Sequence, residues 1–166
     1  IKKILKITFA ILVVLLLVFY FLFLNFSSLK SNTEVLEEFS NDFYKPVLKT
    51  ATYKGFKYRV LSMQKEIDTT KTTIVFVHGA PGSLLDFKKY LADSLLNVTA
   101  NMISYDRIGY NFEDAHTVQK SITFEREILQ NVLNGLNNNK TIIVGYSYGG
   151  PIALSVKELY KKIILL

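Results

Sequence analysis

The sequence predicts an α/β domain on a mostly parallel sheet with helices on both faces, preceded by one transmembrane helix. From Ile74 onward a short apolar run, a glycine-bearing loop and a stretch of helical periodicity repeat. That alternation is the pattern of parallel strands joined by right-handed crossovers. Residues 7–24 carry no charge and are nearly all Ile, Leu, Val or Phe. The chain of 166 residues is 49% hydrophobic and only 20% charged, which is too apolar for disorder and leaves enough residues for a folded core after the first two dozen.

At about 1.5 Å per residue, a helix over residues 7–24 approaches the thickness of a bilayer core, and Ile4 and Leu5 extend it. Lys2, Lys3 and Lys6 place the N-terminus in the cytoplasm and everything after Asn25 outside. A cleaved signal peptide shares the basic start, but it needs a shorter apolar core followed by small residues, which Asn25, Phe26, Ser27 and Ser28 match poorly. Residues 1–24 are therefore read as a single-pass signal anchor, with the lipid bilayer as a partner through residues 4–24 and the folded domain on the outer side.

Residues 25–51 are expected to be a stalk with a lead-in helix over 34–43, where Val35, Leu36, Phe39 and Phe43 recur at helical spacing before Pro46. Aromatic and β-branched residues between Thr52 and Met63 predict one or two strands, with Tyr58, Val60 and Ser62 on one face. Strands follow over 74–77, 102–105 and 141–146. Ser83 with Asp86 forms a capping signature ahead of Leu84, Leu85, Phe87, Tyr90, Leu91 and Leu95. A second helix carries Phe124, Ile128, Leu129, Val132, Leu133 and Leu136 on one stripe and ends at Gly135 and three asparagines; Ile152, Val156, Leu159 and Tyr160 mark a third. Residues 163–166 read as a strand just beginning, so residues 52–166 are expected to be the front part of a larger domain.

Charge and composition exclude several functions. The formal charge of +6 falls to +3 without Lys2, Lys3 and Lys6, too mild a balance for nucleic acid. Absence of cysteine removes disulfides and thiolate nucleophiles. His78 and His116 are the only histidines and lack ligand-type spacing, so no metal is expected. Sequons at Asn25, Asn97 and Asn139 are close to chance expectation and carry nothing.

Residues 145–150 read G-x-S-x-G-G at a strand-to-helix junction. Gly145 and Gly149 leave room for a turn tight enough to raise Ser147 above the sheet edge, and the helix that follows aims its positive end at charge developing beside that serine. His78, Gly79, Ala80, Pro81 and Gly82 follow the 74–77 strand as H-G-x-P-G, and Asp106, Arg107, Gly109 and Tyr110 follow the 102–105 strand as D-x-x-G-x.

Together, in this order, the three motifs resemble those of the α/β-hydrolase superfamily over about residues 52–166. The resemblance implies the α/β-hydrolase fold, a mostly parallel eight-stranded sheet, here reaching about the sixth strand. It makes Ser147 the nucleophile and the backbone N–H groups of Tyr148 and Ala80 the oxyanion hole. Pro81 has no N–H to offer. His78 shapes its loop rather than acting as base, and Asp106 and Arg107 hold a turn.

The implied activity is hydrolysis of an ester, amide or peptide bond in a small-molecule or peptide acyl substrate, with no cofactor. A serine at the elbow, where an aspartate would favour epoxide or haloalkane opening, points to acyl transfer. In this family the acid and the histidine follow the serine. After Ser147 there is one acid, Glu158, and no histidine, so the triad is expected to be incomplete in this chain. His116, with Glu113 or Asp114 nearby, is a remote substitute. The rival reading is a non-catalytic, membrane-anchored binding protein that keeps the scaffold.

Overall fold

The computed structural model describes residues 2–26, 29–112, 118–119, 121–160 and 162–166, without the side chains of Lys2, Leu5 and residues 23–26. The long helix α1 spans Lys2–Phe26. Its described apolar side chains, among them Phe9, Leu16, Phe19 and Leu22, are exposed on every side. Among the described residues no helix is long and apolar enough to cross a membrane. Bilayer contact through residues 4–24 therefore rests on the sequence alone.

Six strands form one sheet in the order β1-β2-β4-β3-β5-β6. β1 (Val47–Tyr53) and β2 (Phe56–Ser62) are an antiparallel hairpin, and β2 also pairs antiparallel with β4 (Ala100–Tyr105). β3 (Thr72–Val77) lies parallel between β4 and β5 (Thr141–Gly145), and β6 (Lys162–Leu165) continues the parallel set beyond β5. The helices are α2 (Asn32–Glu37), α3 (Lys88–Leu91), α4 (Ser94–Thr99), α5 (Ile122–Val132) and α6 (Gly149–Leu154).

Side-chain alternation along the central strands divides the core in two. Val75, Val77, Ile103 and Tyr105 pack with Ile128 and Leu129 of α5 and Ile152 and Ala153 of α6. On the opposite face Phe76, Met102 and Val144 pack with Val35, Phe39, Leu84, Phe87 and Leu91. The expected layering, helices on both faces of a mostly parallel sheet, is present over the described residues.

Several local expectations shift, each for a visible reason. The lead-in helix starts at Asn32, because Ser31 and Glu34 close a capping box at its N-terminus, and it ends at Glu37. Val35 and Phe39 are buried in the domain core while Phe43 is exposed, and β1 begins at Val47, so the sheet reaches into the segment expected to be a stalk. β2 buries side chains on both faces, Arg59 and Leu61 as well as Tyr58, whereas Lys49, Thr50 and Thr52 of β1 are exposed.

The helix expected over residues 84–95 is divided. A 3-10 turn at Leu84–Phe87, capped by Ser83 and Asp86, leads into α3; Asp93 then caps α4 by accepting the Leu96 N–H at 2.9 Å. α6 stops at Leu154 and turns continue the chain, which leaves Leu159 exposed but keeps Val156 and Tyr160 in the core.

Candidate active site

Three loops meet at the C-terminal edge of β3, β4 and β5, where ligands of open parallel sheets bind. Ser147 occupies the turn between β5 and α6 with φ 50°, in the left-handed region that L-residues other than Gly, Asn and Asp rarely adopt. Its side chain is exposed, and its hydroxyl has no hydrogen-bond partner among the described residues. The turn is held by Tyr146 N–H donating to Val77 O at 3.0 Å, Gly149 N–H to Tyr146 O at 2.8 Å, and Ser147 N–H to Leu166 O at 3.1 Å.

Close packing makes two elbow glycines obligatory. A Cβ on Gly145 would come 2.6 Å from Gly149 O, and one on Gly149 would come 2.1 Å from Val77 O, a backbone atom that cannot swing aside. Gly150 is different: a Cβ there meets only Leu165 Cδ2, at an ordinary 3.6 Å.

The H-G-x-P-G loop lies directly against the elbow, since a Cβ on Gly79 would be 3.0 Å from Ser147 Cβ. Ala80 and Pro81, joined by a cis peptide bond, are exposed, and Gly82 packs beneath them close to Asp86 and His78. Among the described residues, neither the Ala80 N–H nor the Tyr148 N–H donates to a protein acceptor.

His78 is fully buried. Its Nε2 accepts the Arg107 N–H at 3.0 Å, which leaves Nδ1 as the protonated nitrogen, donating to Gly79 O at 2.8 Å. Burial first, and the Arg107 charge second, push its pKa down to about 3. With both nitrogens engaged and the ring neutral, His78 is a loop-shaping residue and no general base.

Arg107 is the hub of this arrangement. Its guanidinium is buried, ion-paired with Glu125 of α5 at 3.0 Å, and donates through Nη1 to Gly79 O at 2.9 Å. The group lies 4.9 Å from the Tyr110 ring centroid and 4.7 Å from that of Tyr148. Gly79 C=O and Ala80 N–H belong to one planar peptide. His78 and Arg107, by gripping the carbonyl, therefore also set the direction of the Ala80 N–H.

Asp106 holds the neighbouring segments. One carboxylate oxygen accepts from Arg59 Nε at 2.7 Å and the other from Leu84 N–H at 2.8 Å. Burial raises its pKa to about 6 in spite of the Arg59 charge, so it stays ionised at neutral pH. Gly109, at φ 84°, permits the turn in which Tyr110 N–H returns to Arg107 O.

The sequence-predicted residues thus converge: Ser147, Tyr148, Gly145, Gly149, His78, Gly79, Ala80, Pro81, Gly82, Asp106, Arg107 and Gly109 all belong to the three adjoining loops. Sequence reasoning missed Glu125 and Arg59, the buried partners of Arg107 and Asp106, because no local spacing marks a contact made across the fold. His116, Glu113 and Asp114 lie outside the described residues. No group of three or more His, Cys, Asp or Glu among the described residues could hold a metal.

Comparison with known proteins agrees with this geometry. The family model described as the alpha/beta hydrolase fold matches residues 72–165, more than half of the chain, and the protein belongs to that family. A proline iminopeptidase of Saccharolobus solfataricus is 29% identical over 97 residues, covering 55% of this chain and 30% of that protein. The chain therefore spans under a third of this curated relative. Among solved structures, a putative lipase from Acinetobacter baumannii superposes with TM-score 0.63 at 20% identity, over 82% of this chain and 46% of that one. A predicted CIB-like hydrolase from Thermoplasma acidophilum gives 0.59 at 16% identity, over 74% and 62%. At these identities the two structures establish the fold alone.

Two predictions follow from the packing and the buried imidazole. Gly149→Ala should abolish stable folding or force the elbow open, whereas Gly150→Ala should be neutral or raise stability by up to about 1 kcal/mol through helix propensity. Urea midpoints of the two variants check this, and equal effects would contradict the elbow geometry. Burial holds the pKa of the His78 imidazole in the folded protein at about 3, well below the ordinary histidine value of about 6.5. Its contribution is complete above pH 6.5 and is lost as pH falls toward about 3, at up to about 1.4 kcal/mol per pH unit. His78→Gln should flatten the pH dependence of the urea midpoint in that window relative to the unmodified protein.

Proposed function

We propose that the protein is a membrane-anchored serine hydrolase that cleaves an ester, amide or peptide bond through an acyl-serine intermediate. The observation that carries this reading is Ser147 itself: exposed, at φ 50°, on a strand-to-helix turn whose flanking glycines accept no Cβ. Evolution of an ordinary loop has no reason to retain backbone strain of about 1–3 kcal/mol around a lone hydroxyl.

In the proposed reaction Ser147 Oγ attacks the substrate carbonyl, and the N–H groups of Tyr148 and Ala80 receive the oxyanion. Both donors are free of protein acceptors among the described residues, as groups reserved for transition-state charge need to be. A serine hydroxyl also needs a histidine to take its proton, and that histidine needs an acid. In the family's order both follow the nucleophile; residues 148–166 contain Glu158 and no histidine, so neither role is assigned to a residue here. The related proline iminopeptidase supports a peptide or other small acyl substrate.

The anchor is the second half of the proposal. In α1 apolar side chains face outward all around, and the charges of Lys2, Lys3 and Lys6 cluster at one end. Each large aliphatic or aromatic side chain gains about 1.5–3 kcal/mol on leaving water, so such a helix is far better placed in lipid. The lysines orient the N-terminus toward the cytoplasm and the hydrolase domain toward the outer side.

In a membrane-bound form that supplies the histidine and acid, Ser147→Ala should reduce turnover of a responsive ester or peptide substrate by about a thousandfold or more, measured on a broad acyl panel against a vector control. Full activity with alanine at 147 would refute the nucleophile. Inactivity of the unmodified protein on the whole panel would favour a scaffold that binds without catalysis.

A further inference from the structure

From the position of the cavity relative to the anchor, we propose that the site takes its substrate from the membrane, as an acyl amphiphile drawn out of the bilayer at headgroup level. This rests on the anchored serine-hydrolase reading and names the substrate class of that same site.

A cavity of about 770 Å³ opens beside the elbow, within the size range of small-molecule sites. Its lining includes Pro81 and Gly82 of the H-G-x-P-G loop and Tyr146, the residue before the nucleophile, and also Leu29 and Lys30, the first described residues after α1. Apolar and aromatic side chains such as Leu84, Leu85 and Phe87 line it together with the charged Glu38, Arg59, Asp86 and Lys88.

Among the described residues, the chain after α1 is held to the domain from Lys30 onward. Arg59 donates to Lys30 O at 2.7 Å and to Asn32 Oδ1 at 3.2 Å, and Lys30 pairs with Glu38. Val35 and Phe39 are buried in the domain core. The chain after Leu29 is thus fastened to the domain at once. From Phe26 to Leu29 there are three Cα steps, which reach at most about 11 Å whatever their path. The polar headgroup layer is itself about 5–7 Å deep on each side of the bilayer. If α1 spans the membrane, the part of the cavity lining formed by Leu29 stands at or just above the headgroups. A long acyl chain leaving the bilayer then enters among the apolar walls, with its ester or amide carbonyl toward the elbow. A substrate dissolved in water gains nothing from so short a tether.

Inserting a flexible Gly/Ser linker of twenty residues between Ser27 and Ser28 tests this, since it lengthens the tether to an average of about 25 Å without touching the site. Two substrates are compared: p-nitrophenyl acetate in solution and p-nitrophenyl palmitate in phosphatidylcholine vesicles that carry the protein. The linker should leave acetate turnover unchanged and lower palmitate turnover at least about tenfold, while a two-residue insertion should leave both near the original rates. Equal retention or equal loss of the two rates in the long-linker protein would overturn the proposal. Two controls separate it from the reading beneath it. Alkaline carbonate extraction reports whether the protein is anchored at all, and Ser147→Ala reports whether either ester is cleaved at the elbow.

Discussion

The buried guanidinium of Arg107 is the constraint on which the site's geometry depends. A charge removed from water must be matched on nearly every side. Here the matching is divided among the carboxylate of Glu125, the carbonyl of Gly79 and the faces of Tyr110 and Tyr148. Those partners come from α5 and from the loops after β3, β4 and β5, so the requirement to satisfy one cation fixes four chain segments against each other. Removing one member of such a buried pair typically costs about 3–5 kcal/mol. His78 completes the arrangement as a neutral ring, and the repulsion from Arg107 is part of what keeps it neutral. The Arg59–Asp106 pair does the same service one layer away, tying the hairpin and the segment after α1 to the loop at Leu84.

This arrangement bears directly on the proposed chemistry. An oxyanion donor is useful only if its direction is set before the reaction, because reorientation during the reaction would consume the stabilisation it provides. Gly79 O is held by two donors, and the Ala80 N–H on the same peptide inherits that rigidity. Tyr148 stacks its ring on Arg107 and sits at the N-cap of α6. The machinery proposed to bind the oxyanion is thereby braced from below by groups that never need to touch a substrate.

Much of this was legible in the sequence, and the reason is local. Gly145 and Gly149 announce themselves because a backbone too crowded for a Cβ admits no other residue, and β3, β4 and β5 because each apolar run is followed by a glycine-bearing loop. Parts that depend on competition or distance were less legible. The start of α2 was misjudged because the Ser31–Glu34 capping box sets it, and Asp93 divided a helix whose hydrophobic pattern runs through it. Val35 and Phe39 looked like a stalk helix because nothing local shows that their partners are Leu61, Phe76 and Met102. Glu125 and Arg59 sit on a helix and a strand as unremarkable charges, and only the fold reveals that both are buried against cations or carboxylates from other loops.

The central claim is that Ser147 is a nucleophile rather than a strained but idle residue. Treating a membrane-bound form of the protein that supplies the histidine and acid for Ser147 with a fluorophosphonate, and mapping the adduct by peptide mass spectrometry, tests it most directly. The account predicts a phosphonyl group on the peptide bearing Ser147, with no adduct on Ser121 or Ser155 and none at all after heat denaturation. An adduct on another residue, or undiminished acyl hydrolysis in protein that the probe leaves unmodified, would contradict it.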